Sequence, residues 1–303
     1  MSESLVSSEP ETIVRPTTEV RYAFASPPLQ DAIVAYLEME ISEGGPQEDL
    51  LPPDWASIRL AVVGGWEQGE DYHNLTPIGD ASRLYGMSGR AQWVRGGLGL
   101  AFCIGFYPIG WSSLFGRNAH ALADRSIPLA EKLGDDAQLL LAQVRECRDF
   151  NERVAAANGF FEMLRARSKA TVQVQDLSAI RAALADPGCA TVEQLAERVG
   201  MSQSRLVRLT KASYGFTPKF LIRRERFLRM LHKMEARPYG EWRHFIEEQF
   251  VDQSHLIRDF NFFMGMSPTR YLALERPFLN AAKDSLRRMM GIHVGVDSDP
   301  DPN

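Results

Sequence analysis

Asp252, Ser254 and His255 stand almost side by side in FVDQSHLIRDF, residues 250–260. Together these residue types perform acyl transfer when a carboxylate orients an imidazole and the imidazole takes a proton from the hydroxyl. Close neighbours on one helix do not place acid, base and nucleophile in line, and such triads are assembled by folding from distant segments. Other chemical candidates are as weak. GGLGLAFCIG supplies Gly97 and Gly99, but the third glycine of a dinucleotide-binding loop would fall on Phe102, so a turn or bulge is expected there. GMSGR has Arg90 where a nucleophile elbow ends in glycine, which makes Ser88 a turn residue. His73 and His120 are too dispersed for a metal site, and Cys103, Cys147 and Cys189, odd in number and far apart, fit core positions better than a disulfide framework or zinc cluster. The sequence thus leads to no catalytic residue, metal or cofactor, and to a chain that is not an enzyme.

What the segment around His255 does contain is a repeat. SQSRLVRLTKASYGFTPKFLIRRER from Ser202 lies over DQSHLIRDFNFFMGMSPTRYLALER from Asp252 at a constant offset of 50. Gln203, Ser204, Leu206, Arg208, Gly215, Pro218 and Arg226 recur as Gln253, Ser254, Leu256, Arg258, Gly265, Pro268 and Arg276.

The elements that position these residues can be read from the first copy. In TVEQLAERVGMSQSRLVRL, Thr191 caps a first helix and Ala196 allows a close helix crossing. Gly200 takes the left-handed turn, and Ser202 caps a second helix. On that second helix Leu206 and Leu209 face inward, whereas Gln203, Ser204, Val207, Arg208 and Lys211 share the outer face, with Arg205 beside them. Arg and Gln on such a face can pair bidentately with guanine and adenine edges in a major groove, and Arg205 and Lys211 can neutralise phosphates. In the second copy Asp252 is the N-cap, Gln253, Ser254, Ile257 and Arg258 form the outer face, and His255 replaces Arg205 as a packing or phosphate-contact residue. Phe245 and Gln249 stand for Ala196 and Gly200, so this unit is less regular. Pro218–Glu235 is expected to be one connecting helix, roughly 27 Å long at 1.5 Å per residue, comparable to the ~34 Å between successive major-groove faces. On it, Arg223, Arg224 and Arg229 either solvate the helix or meet phosphates.

The rest of the chain fits a two-part plan. With 45% hydrophobic and 24% charged residues, its 303 residues are ordinary globular material, enough for two domains. The charge is uneven: 15 Lys and Arg against 23 Asp and Glu over residues 1–175, but 17 against 12 over 176–283, so the repeat-bearing half is basic. The expected class is α+β: a mostly β, sensor-like domain over 16–170 with trailing helices, then an all-α tandem helix-turn-helix domain over 171–283, its units at about 190–215 and 240–265. Strands are expected at SIRLAVV, SRLYGMS, AQWVRGG and LGLAFCIGFYP, with β character ending near Trp111. Helices are expected across residues 135–167 and a linker at SKATVQVQD. Residues 1–15 and 284–303 read as disordered tails. The aromatics of the first domain read as core before anything else. Trp66, Tyr85 and Trp93, with Arg83 or Arg95 as polar anchor, are the candidate effector-binding set. No apolar run reaches the roughly 18 residues of a membrane span, and the N-terminus lacks the features of a secretory signal, so a cytoplasmic location is expected.

LAERVGMSQSRLVRL, YGFTPKFLIRRER, FVDQSHLIRDF and GMSPTRYL resemble the DNA-binding half of the AraC/XylS family of bacterial transcription regulators, over about residues 176–280. Thr210 departs from the family's usual aromatic core residue, which Phe260 supplies in the second unit. LLPPDWASIRLAVV, GMSGR and GFYPIGWSSLFG resemble, less specifically, the first domains of one branch of these regulators. The resemblance implies duplex operator DNA as partner, a small-molecule effector and a second copy of the chain at the first domain, and RNA polymerase as a further partner. Two other readings stay open: a small-molecule enzyme or carrier with a degenerate DNA module, and a regulator controlled by protein interaction, in which the acidic first domain covers the basic second.

Overall fold

The computed structural model describes residues 17–78, 82–116, 118–168, 170, 173–236 and 253–290, with the backbone alone for 253–255. Its first half is built on two antiparallel sheets. Strands β1 (Thr17–Ala23), β2 (Ile33–Glu43), β4 (Ala56–Val63), β7 (Ser82–Tyr85), β9 (Gly99–Phe106) and β10 (Ser126–Pro128) form the larger, in the order β1-β2-β9-β4-β7-β10. Strands β3 (Gln47–Leu51), β5 (Trp66–Gly69), β6 (Thr76–Pro77) and β8 (Gln92–Gly96) form the smaller, in the order β3-β8-β5-β6. Period-two alternation dictates the layering. On β4, Ile58, Leu60 and Val62 join one hydrophobic core, while Ala61 on the opposite face joins another between the sheets.

Helices α3 (Asp135–Glu146) and α4 (Phe150–Arg167) bring Leu140, Val144, Phe160 and Phe161 into the outer core with Tyr36, Phe102, Ile104 and Phe106. Short helices α1 (Ala119–Leu122) and α2 (Ala130–Leu133) precede them. Glu38 on β2, 1% exposed, accepts hydrogen bonds from Arg153 of α4 at 2.8 Å and Arg21 of β1 at 2.7 Å, a buried ion network that fixes helix layer to sheet. The β character does not stop at Trp111, as the apolar pattern suggests: β10 pairs with β7 as an edge strand. Three residues are too few to show a periodicity.

The second half is helical: α5 (Val174–Ala185), α6 (Val192–Arg198), α7 (Gln203–Tyr214), α8 (Pro218–Glu235), α9 (Gln253–Met264), α10 (Pro268–Leu272) and α11 (Pro277–Met289). Two expectations need correction here. The segment read as a linker already enters α5 at Val174, and the tail expected to begin at residue 284 is helical through Met289. The reason lies in packing across the chain. Phe278 of α11 is fully buried against Trp66, with ring centroids 5.8 Å apart, so the last helix clasps the first domain.

The two halves share cores elsewhere as well. Leu50 and Ala91 pack with Phe227, Phe260 and Phe263, and Met87 and Ile109 pack with Leu177, Leu206 and Tyr214. Asp49 on β3, 1% exposed, accepts from the Leu279 N–H at 2.8 Å and the Leu50 N–H at 2.7 Å. It thus satisfies an orphan donor at the start of α11, whose own N-cap position, Arg276, makes no side-chain cap. No helix among the described residues is long and apolar enough to cross a membrane.

Candidate nucleic-acid interface and interior cleft

Local hydrogen bonding makes α6 and α7 a helix-turn-helix. Thr191 and Gln194 form a reciprocal capping box: Thr191 Oγ1 accepts from the Gln194 N–H and Gln194 Oε1 from the Thr191 N–H, each at 3.2 Å. The chain then turns through Gly200 at φ 63°, where a side chain would be strained, and Ser202 Oγ accepts from the Arg205 N–H at 3.3 Å to start α7. Leu206, Leu209, Thr210 and Tyr214 are buried, whereas Gln203, Ser204, Arg205, Arg208 and Lys211 are exposed and Val207 is half-buried. The nominated face therefore exists as one surface. Arg205 is tied to Asp176 of α5 at 2.5 Å. Thr210, in its unusual place, is fully buried and donates to the Val207 carbonyl at 3.3 Å.

In the second unit α9 buries Leu256, Phe260 and Phe263 and exposes Arg258 and Ile257, the latter 46% exposed. Gln253, Ser254 and His255 occupy its first turn, where only the backbone is described. Asp252, Phe245 and Gln249 lie outside the described residues. The connecting helix α8 spans Pro218–Glu235, with Thr217 Oγ1 capping the Phe220 N–H at 3.3 Å. One of its arginines, Arg224, departs from both expectations. Arg224 is neither solvating nor available to phosphate, being 1% exposed. It donates from Nε to the Ser88 carbonyl at 3.2 Å and pairs with Glu225 at 2.8 Å, while burial pushes its pKa down. Arg223 pairs with Asp259 of α9 at 2.8 Å, and Arg229 donates to the Leu184 carbonyl at 3.0 Å.

Between the two sheets, at the end facing the second half, lies a cleft of about 410 Å³ lined by Ser57, Arg59, Gln68, Arg83, Tyr85, Gln92, Asp54 and Asp124 among others. Of the five nominated effector residues it collects Arg83 and Tyr85. Trp66 is buried against Phe278, Trp93 meets Tyr72 edge-on at 5.1 Å, and Arg95 pairs with Glu48 at 2.6 Å and Glu67 at 3.1 Å. Arg59, which sequence reasoning missed, sits on the cleft wall in β4, a polar residue on the opposite face from Ile58 and Leu60. Asp124 has φ 59°, accepts from the Gly89 N–H at 2.5 Å, and is pushed above the usual carboxylate range by burial. Glu70 is raised too, by burial and then by the Asp124 charge.

Residues 86–91 separate this cleft from the second half. The Ser88 N–H donates to the Asp54 carbonyl at 3.0 Å and the Asp54 N–H to Ser88 Oγ at 2.7 Å. On the other side, the Ala91 N–H donates to the Phe263 carbonyl at 2.7 Å and the Arg90 guanidinium lies 4.6 Å over the Phe262 ring. A second, more open concavity of about 660 Å³ joins Asn118 and His120 of the first half to Arg208, Lys211 and Phe216. Among the described residues no group of three or more His, Cys, Asp or Glu could hold a metal ion.

No family model matches the chain, and no curated protein matches it. Solved structures do match. ToxT from Vibrio cholerae in a P21 crystal form is 12% identical over 85% of this chain and 97% of that one, with a TM-score of 0.42. Wild-type ToxT from Vibrio cholerae strain SCE256 with a bound unsaturated fatty acid is 11% identical over 85% and 94%, at 0.39. The AraC-like transcriptional activator CuxR is 17% identical over 74% and 88%, at 0.29. These values are too low to carry a residue or a ligand from one chain to another.

Proposed function

We propose that this chain is a sequence-specific DNA-binding transcription regulator whose first domain answers to a small-molecule effector, in keeping with its resemblance to AraC/XylS regulators. The observation that carries the reading is the face of α7. Gln203, Ser204, Arg208 and Lys211 project together from a capped helix whose opposite face is buried, in a turn geometry made for the major groove. Gln203, Ser204 and Arg208 read one groove segment; Gln253, Ser254 and Arg258 of α9 read the next; Arg205, Lys211 and His255 stand among the phosphates. The cleft between the sheets is the effector site, and a second copy of the chain and RNA polymerase are the protein partners.

Selection of bound sequences from a random duplex pool by the full chain tests the reading. An enriched site with two half-elements about one helical turn apart is expected. Arg208→Ala should cost about 1–3 kcal/mol and relax preference at one base position, while Lys211→Ala should weaken all sequences alike and reduce the salt slope by about one. Equal weakening of every sequence by Arg208→Ala would contradict its base-reading role. Sedimentation of the chain with and without the selected site tests the second copy.

A further inference from the structure

We propose that the cleft between the sheets binds a small hydrophilic organic acid, a carboxylate that also carries hydroxyl or ammonium donors, held by the paired guanidinium groups of Arg59 and Arg83. The proposal rests on the effector reading above and gives it a ligand class.

Arg59 of β4 and Arg83 of β7 are directly opposite in the antiparallel register, and both line the cleft, half-buried. Like charges placed directly across a ladder destabilise it. Their protein partners are neutral: Arg59 lies 5.0 Å over the Tyr85 ring and hydrogen-bonds Gln68, and Arg83 bonds Ser126 Oγ at 3.1 Å and the Ser126 carbonyl at 3.3 Å. No carboxylate among the described residues pairs with either. The same fold gives Arg95, Arg153, Arg165 and Arg223 carboxylate partners. Two guanidiniums on opposite residues of neighbouring strands, paired with no carboxylate among the described residues and lining one concavity, suit an incoming carboxylate, which such forks bind with charge-assisted, bidentate geometry.

The carboxylates that line the same cleft set the rest of the ligand. Asp54 and Asp124 lie there against the buried charge of Arg224, and Glu70 stands beside Asp124. Carboxylates there repel a second acid group and accept from hydroxyl or ammonium donors. Ser57, Gln68 and Gln92 complete a polar wall, and 410 Å³ lies near the lower end of the roughly 300–1,000 Å³ of small-molecule sites.

The test is thermal unfolding of the full chain with glucuronate, tartrate, citrate or glutamate, with glucose as a hydroxylated neutral control and hexanoate as an acid without donors. At least one of the four acids should raise the midpoint at about 10 mM, as a ligand of the native state does, while glucose and hexanoate do not. Arg83→Gln and Arg59→Gln should each leave the unliganded chain as stable as the wild type or more so, because the like-charge pair is relieved, and should weaken acid binding about 10- to 100-fold. The proposal is overturned if none of the four acids shifts the midpoint, if glucose or hexanoate shifts it equally, if both variants keep the full response, or if both variants fail to fold. DNA binding separates this proposal from the reading it rests on. An acid that binds through the arginines without altering DNA affinity removes effector control and leaves the site standing, whereas an effect on DNA that survives both variants removes the site.

Discussion

Replacing Asp49 with Asn should remove a specific slope from the pH dependence of stability. The Asp49 carboxyl is buried in β3, and burial raises its pKa from 3.8 to about 6 despite the backbone N–H groups of Leu279, Leu50 and Phe278 and the nearby Arg276, all of which favour the charged form. A carboxyl whose folded-state pKa is raised binds its proton more tightly folded than unfolded. Its contribution to stability is therefore complete below pH 3.8 and is lost as pH rises through about 6. Two pKa units at 1.36 kcal/mol each amount to about 3 kcal/mol. Asparagine cannot titrate; its amide oxygen keeps one acceptor, while its NH2 opposes a backbone donor, a cost that does not vary with pH. Urea unfolding at a series of pH values between about 4 and 7 should thus show the wild type losing about 3 kcal/mol relative to Asp49→Asn, with every other titrating group cancelling in the difference. Tryptophan fluorescence reports the same event locally, because Trp66 packs on Phe278, the residue next to the capped Leu279. A gap between the two proteins that stays constant with pH would refute the assignment.

Arg224→Met should loosen the junction between the halves, since it strips the Ser88 carbonyl of its donor and leaves Asp54 and Asp124 without the buried cation. A cost of about 3 kcal/mol, on the order of a hundredfold faster hydrogen exchange at the Gly89 and Ala91 amides, is expected. Glu38→Gln leaves buried Arg153 without its counter-charge. It should cost about 3–5 kcal/mol in urea unfolding, and an unchanged midpoint would show that water or another group answers that charge.

The parts of the fold that could be read from the sequence are those carried by short-range patterns. The fifty-residue repeat fixes which side of α7 and α9 is apolar, because Leu206 and Leu256 occupy equivalent positions on helices with one period. SIRLAVV alternates as a strand with two packed faces must, and it forms β4. The clasp of α11 left no such trace: Asp49 and Leu279 meet across 230 residues, and neither has a local signature. Arg224 is a different failure. It lies three residues after Leu221 and three before Phe227, both buried, so helical spacing already placed it on the inner face. Its membership of a charged run, RRER, masked that position. Arg59 could likewise have been found as the one charged residue in strand β4. Its pairing with Arg83 could not, because register between strands separated by some twenty residues is set by tertiary packing.

The segment GMSGRA, residues 86–91, makes the cleft and the helical second half mechanically one object. A Cβ on Gly86 would lie 1.9 Å from the Leu122 carbonyl oxygen, and one on Gly89 would lie 2.7 Å from the Phe220 ring, so the backbone is pressed between both sides without room for a methyl group. In so close-packed a layer a displacement cannot be absorbed locally. Asp54 and Asp124 line the cleft and bind Ser88 and Gly89, while Ser88, Arg90 and Ala91 touch Arg224, Phe262 and Phe263. Movement of either carboxylate residue therefore acts directly on α8 and α9. Helix α7 is braced by Met87 of the same segment, by the bond between Ser112 and Ser213 at 2.9 Å and by the approach of Gly215 to α1, where a Cβ would lie 3.1 Å from the Ala119 carbonyl oxygen. Helices α7 and α9 are thus both held to the rim of the cleft, α9 through Arg90 and Ala91 and α7 through Met87 and through Trp55, whose ring lies 6.4 Å from that of Tyr214.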